Sequence, residues 1–213
     1  MRTPDTYYLF LCDLRNSTRL EGAKAGEAIA IVDATLETLN AQCASALAVP
    51  LQLSYGDEIA GLFTASAPIR DVVSTLRHAL RPVTGFRFVV CHGRIGSLSD
   101  DMRKVGGPAF KQASEAMSGL KSSGAFCRWL LDDPLLSDTV EALTESANAF
   151  LETATDYQYQ VYTLLEQGLS QRDIAKALDK FPQSVSDAVK RARLELVIRM
   201  DQLIRRHLMA MDQ

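Results

Sequence analysis

The chain has 213 residues, of which 47% are hydrophobic and 23% charged, with a formal net charge of −3. That length holds one ordinary domain plus a small one, and the composition excludes disordered, collagen-like and low-complexity chains. No run approaches the roughly 18 apolar residues of a membrane span, and Cys12, Cys43, Cys91 and Cys127 lack CxxC spacing, which predicts reduced thiols, no zinc site and a cytoplasmic protein.

An apolar run over residues 7–12 predicts a first strand ending in Asp13. An amphipathic helix follows over about 26–46, and residues 51–55 and 58–63 flank a Gly56-Asp57 turn as a hairpin. Next come a helix over 68–80, a strand over 86–92, a helix over 108–120 and a strand near 126–131. This βαββαβ order predicts an α+β, ferredoxin-like domain over residues 1–131, with helices on one face of an antiparallel sheet. His78, His92 and His207 fall on separate elements and read as incidental, and Trp129 reads as core.

Residues 132–155 are helical in pattern, with Val140, Leu143, Ala147 and Leu151 at helical spacing, and read as a connecting helix. Over 156–213 the pattern predicts an all-α domain. A first helix stops at Gly168, Ser170-x-x-Asp173 is a capping box for a short second helix, and Pro182 suits the first turn of a third. Two helices meeting through a tight turn need a small residue at the crossing, a turn residue tolerant of positive φ, and an apolar lock on the later helix. Ala175, Asp179 and Val185 fill those roles. An apolar stripe through Leu196, Met200, Leu203 and Leu208 then needs a partner surface, in the N-terminal domain or in a second copy of the chain.

The segment QRDIAKALDKFPQSVSDAVKRA resembles the helix-turn-helix of sigma-factor-like and related bacterial regulators, with Asp179 where glycine is usual. That resemblance implies double-stranded DNA as the partner. Gln183, Ser184, Ser186 and Asp187 then face base edges, while Lys190, Arg191, Arg172 and Lys176 meet phosphates. Two half-sites imply a homodimer.

FLCDLRNSTRL, SYGDEIAGLF, HGRIG and GGPAFKQASEAM occur in the order of the palm of class III nucleotidyl cyclases, and SYGDEI is also similar to the diguanylate cyclase hairpin. A cyclase-type palm followed by a helix-turn-helix resembles the SatD-type family over nearly the whole chain. The resemblance implies Mg²⁺ held by Asp13 and Asp57 with a nucleoside triphosphate, its phosphates cradled by Arg15, Asn16 and Ser17. Leu53, Lys104, Lys111 and Glu115 stand where those cyclases carry base-reading and transition-state groups, and a glutamate repels a transferring phosphoryl group. Lys104, Lys111 or Arg103 is left as a substitute cationic clamp, and binding without efficient turnover is expected. The reading that follows is a DNA-binding transcriptional regulator with a degenerate cyclase-like domain. Its alternative is a nucleotidyl cyclase or transferase with a DNA-binding output domain.

Overall fold

The computed structural model describes residues 6–15, 23–54 and 56–212. Strand β1 (Thr6–Leu14) is buried along residues 7–14. A strand with two buried faces must be central and covered on both sides. It pairs antiparallel with β3 (Glu58–Phe63) and with β4 (Phe86–Arg94), and β2 (Leu47–Leu53) pairs antiparallel with β3. Helix α1 (Ala23–Gln42) lies between β1 and β2 in the chain, and α2 (Ala67–Leu80) between β3 and β4. Helix α3 (Pro108–Ser123) then leads to β5 (Cys127–Leu130), which runs parallel to β4 and completes the sheet order β2-β3-β1-β4-β5.

The expected βαββαβ arrangement is therefore present, followed by the expected helix and last strand near 126–131, but its helices cover both faces rather than one. On one face, Leu9 and Leu11 of β1, Leu62 of β3 and Val89 and Cys91 of β4 form a core with Ala109, Ala113, Met117 and Leu120 of α3. The alternate residues point the other way. There Phe10 stacks on Phe88, Phe88 meets Phe126 and Trp129 edge-on, and the Arg77 guanidinium of α2 lies 5.5 Å over the Phe126 ring. The one-face expectation fails because α3 belongs to a parallel β4-α3-β5 crossover, which the βαββαβ pattern does not contain. Gly107, just before α3, has φ 138°, and a Cβ there would come within 2.3 Å of the Gly96 nitrogen, so only glycine fits.

Helix α4 (Pro134–Thr153) begins against β5, where Glu141 accepts from the Trp129 backbone N–H at 3.1 Å and pairs with Arg128 at 3.1 Å. The chain divides into one compact unit of 1–141 with 207–213, and a second of 142–206, so α4 and α8 (Leu194–Met211) each contribute to both. In the first unit Asp212 accepts from the backbone N–H groups of Ser66 and Ala67, both at 2.8 Å, and from the Ser66 hydroxyl at 3.0 Å. It supplies the cap at the start of α2 that Ser66's own side chain does not make.

The second unit contains α5 (Asp156–Glu166), α6 (Gln171–Ala177) and α7 (Pro182–Arg191). Gly168, at φ 87°, ends the first, and its successor Leu169 donates back to the Leu164 carbonyl at 3.1 Å. Ser170 caps α6 by accepting from the Asp173 N–H. After α6, Asp179 takes φ 50° and Lys180 donates to the Ala175 carbonyl at 2.9 Å, the same left-handed closure without a glycine. Ile174, Ala175, Val185, Ala188 and Val189 pack in one core with Ala147, Leu151, Tyr162 and Val197. Buried Asp201 is matched by the Tyr162 hydroxyl at 3.2 Å. Of the expected α8 stripe, Leu208 is buried within the chain, while Leu196, Met200 and Leu203 are half-buried beside the buried Leu194, Val197 and Ile204.

Left-handed backbone strains a β-branched residue and relaxes a glycine. Asp179→Gly is therefore expected to leave stability unchanged or raised, and Asp179→Val to lower it by about 1–2 kcal/mol. Urea melts of the three proteins check this, and equal stability of the valine and glycine variants would remove the strain argument.

Candidate functional site

Asp13 is the penultimate residue of β1, facing the α3 side of the sheet, and is 4% exposed. Register sets it between Glu58 on one neighbour and Arg87 on the other. The hairpin turn returns beside it, where the Leu14 N–H donates to the Asp57 carbonyl at 3.4 Å. The two expected metal residues are thus brought to one corner, with Glu58 as a third acid. Burial pushes the Glu58 carboxyl above the usual carboxylate range; Asp13 and Asp57 add to the rise, and Ser54 and Lys121 oppose it.

Two cations already occupy Asp13. Lys121, from the last turn of α3, puts Nζ 2.5 Å from Oδ1, and Arg87 Nε lies 3.3 Å from Oδ2 as an ion pair without hydrogen-bond alignment. The Arg87 head also donates to the Leu120 carbonyl at 3.5 Å. A resident Mg²⁺ needs near-octahedral oxygen ligands at about 2.0–2.1 Å. Here both carboxylate oxygens face positive charge, and each unit-charge pair at about 4 Å opposes a further cation by on the order of 4 kcal/mol at an effective dielectric of 20. The corner as folded does not fit a divalent ion. Among the described residues no group of three or more His, Cys, Asp or Glu side chains is placed to hold a metal.

Arg15 lies beside this corner. Its backbone is fixed by the Gly85 carbonyl at 2.8 Å and the Thr84 hydroxyl at 2.5 Å, and its guanidinium donates to the Gly124 and Ala125 carbonyls at 3.1 and 3.3 Å. Asn16 and Ser17 lie outside the described residues. Lys104 and Lys111 are not drawn to the same corner. Gly93 and Ala109 adjoin where β4 ends and α3 begins, so Lys111 sits about ten residues, or roughly 15 Å, along α3 from Lys121. Its ammonium is 4.0 Å from Glu115, and Lys104 is 4.0 Å from Asp101. Arg103 is held by Asp101 at 2.9 Å, which lowers the Asp101 carboxyl to about 2. Within one chain these cations form no clamp with Asp13 and Asp57.

The sequence reading missed Arg87 and Lys121. A signal for Lys121 existed, because the buried row Ala109, Ala113 and Met117 continues at the next i+4 step onto it. It also passed over His92, whose Nδ1 is 2.9 Å from Asp132 Oδ1 and whose ring stacks on Tyr8 at 4.4 Å. His92 lines a cleft of about 810 Å³ with Arg94, Gln112, Glu115 and Asp138, at the carboxyl ends of parallel β4 and β5.

In the second unit, Val185, Ala188 and Val189 turn one side of α7 into the core. Gln183, Lys190 and Arg191 are exposed on the other side, with Ser184, Ser186 and Asp187 half-buried, and Arg172 and Lys176 exposed on α6. Three of these side chains are already engaged: Gln183 donates to Asp187 at 3.0 Å, and Lys176 lies 3.9 Å from Asp173. Phe181, just before α7, is 81% exposed.

No family model matches the sequence, and no curated protein matches it. Among solved structures, the chain is similar to a bacterial light-regulated adenylyl cyclase, at 13% identity and TM-score 0.41 over 58% of this chain. It spans 42% of that protein's length. A second is the adenylyl cyclase CyaB from P. aeruginosa, at 13% identity and TM-score 0.39, covering 54% of this chain and 71% of that one. Among the described residues no helix is long and apolar enough to cross a membrane.

Arg87→Ala strips a buried cation from Asp13 and leaves a poorly compensated carboxylate, a loss of about 3 kcal/mol in urea denaturation. Adding Asp13→Leu to that variant is expected to recover much of the loss, and simple additivity of the two changes would contradict the pairing. Glu58 has a folded pKa raised above its unfolded value, so the stability it contributes falls as pH rises from the unfolded through the folded pKa. Melts of Glu58→Gln beside the native protein should therefore favour the variant more at about pH 7 than at about pH 4. A pH-independent difference would overturn the assignment.

Proposed function

We propose that the chain is a DNA-binding transcriptional regulator whose α6 and α7 form a helix-turn-helix, preceded by a degenerate domain of the nucleotidyl cyclase type, in the manner of the SatD-type family. The observation that carries this reading is the junction of α6 and α7. Ala175 is buried at the crossing, Asp179 takes the left-handed turn at φ 50°, and Val185 is fully buried as the lock. Each of the three roles that such a junction demands is filled by the residue at its position. With that face inward, the side chains of α7 free to meet a groove are Gln183, Ser184, Ser186 and Asp187. Lys190, Arg191, Arg172 and Lys176 are set for phosphates.

The Gln183–Asp187 bond refines the base-reading assignment. An aspartate alone near DNA is repelled by phosphates, but the glutamine amide that donates to it is left with its carbonyl oxygen and a second N–H for a base edge. The pair acts as one reading unit at the start of α7. A homodimer remains part of the proposal on half-site geometry, and Leu196, Met200 and Leu203 of α8 keep part of their apolar surface exposed for it.

A second reading has one observation in its favour. Asp13 of β1 and Asp57 of the hairpin meet at one corner of a βαββαβ sheet, as a nucleotidyl cyclase or transferase acting on nucleoside triphosphates requires. Lys121 and Arg87 on Asp13, and the distance of Lys111 from it, weigh against turnover at that corner.

Fluorescence anisotropy on a duplex selected from a random library, beside an unrelated duplex, tests the proposal. Arg191→Ala is expected to weaken both and lower the salt slope by about one unit, while Gln183→Ala loses about 1–3 kcal/mol on the selected duplex only. Equal losses on both duplexes would reject the sorting, and a protein with no salt-dependent duplex affinity would reject the function.

A further inference from the structure

We infer that Lys121 is a built-in counter-ion standing where a divalent cation would bridge Asp13 and the hairpin acids, and that its removal converts this corner into a divalent-metal site. The inference is independent of whether the chain binds DNA. It starts from a mismatch: three acids from two strands and a hairpin converge, yet no metal-binding group is formed among the described residues.

Three acids brought to one partly buried corner repel one another, and Asp13 and Asp57 add to the rise that burial imposes on the Glu58 carboxyl. Such a corner needs positive charge from somewhere. A divalent ion supplies it with two charges and directed oxygen coordination. Here α3 supplies it instead. Lys121 reaches Asp13 Oδ1 at 2.5 Å, and the same ammonium lowers the neighbouring Glu58 carboxyl against the effect of burial. Arg87 takes the remaining oxygen from the opposite strand.

The two cations differ in how they are held. Arg87 is 15% exposed and also binds the Leu120 carbonyl, so it is part of the frame. Lys121 is 50% exposed, sits in the last turn of α3, and forms its ion pair with Asp13. Its ammonium is a compact point charge on a flexible stem, whereas the Arg87 guanidinium is a planar fork set by two contacts. Lys121 is thus the replaceable charge. Without it, Asp13 Oδ1 is left unneutralised on the side of the sheet where the hairpin carries the half-exposed Asp57 and Glu58, and a cation entering there meets carboxylates in place of an ammonium.

The test uses the full chain, free of DNA, with Mn²⁺ followed by electron paramagnetic resonance and Mg²⁺ by thermal melting. The native protein is expected to bind Mn²⁺ no more tightly than a few millimolar and to melt identically in Mg²⁺ and in chelator. Lys121→Met, which keeps the stem, should bind Mn²⁺ at least tenfold more tightly and gain a Mg²⁺-dependent rise in melting temperature. Lys121→Gln repeats the measurement with a polar side chain of similar reach. Both gains should vanish when Asp13→Asn is added. Tight Mn²⁺ binding by the native protein, lost in Asp13→Asn, would overturn the inference by showing that the metal displaces Lys121 unaided. So would folded Lys121 variants that remain indifferent to both ions, since Lys121 would then be an ordinary ion pair. Duplex affinity measured on the same native protein reports separately on the regulator reading.

Discussion

Everything in the N-terminal unit follows from a central strand that has no polar side. Residues 7–14 of β1 are buried whichever way they point, so a single layer of helices cannot satisfy the strand. Helices α1 and α2 close one face, and α3 must close the other. Because α3 returns antiparallel to β4 after starting beside Gly93, its last turn arrives at the end of β1 where the apolar run stops and Asp13 begins. The position of Lys121 against Asp13 is thus a geometric result of covering the second face. Had α3 been one turn shorter, Asp13 would face only Arg87.

The same constraint explains which parts were legible in the sequence. Strands and helices could be read because continuous apolar runs, the Gly56-Asp57 turn, Pro108 and Pro182 at helix starts, and Gly168 at a helix end all act locally. The second helical layer was harder, although an entirely apolar β1 already implied it. Pairings that depend on register were not legible: Arg87 opposes Asp13 only because Leu14 aligns with Phe86. The break between α7 and α8 was hidden for a related reason. Arg193 takes φ 55° there with no glycine or proline to announce it, and a periodic pattern continues through it. At the α6–α7 turn the reverse holds, because a small residue, a turn residue and an apolar lock in fixed order leave a short-range trace.

The two candidate regions also differ in what can be carried from a motif to a structure. In α7 the motif specifies both the buried face and, by exclusion, the exposed one, so Gln183 and Arg191 could be placed before any coordinates. At the acid corner the motif specifies only that Asp13 and Asp57 come together. What neutralises them is decided by residues that no motif contains. Short resemblances are informative about backbone paths and weak on the charges that surround them.

Asp212 has a consequence for the order in which the molecule is made. It lies 146 residues after Ser66, whose backbone N–H it accepts from. At a synthesis rate of about 5–20 residues per second, α2 leaves the ribosome roughly 7–30 s before its cap exists. All five strands have emerged before that interval ends, since β5 ends at Leu130. The sheet can thus assemble on a nascent chain while the first turn of α2 still offers its N–H groups to water. The closing bond is then a late, post-assembly event, and it joins the first-made half of the molecule to the last-made turn of α8.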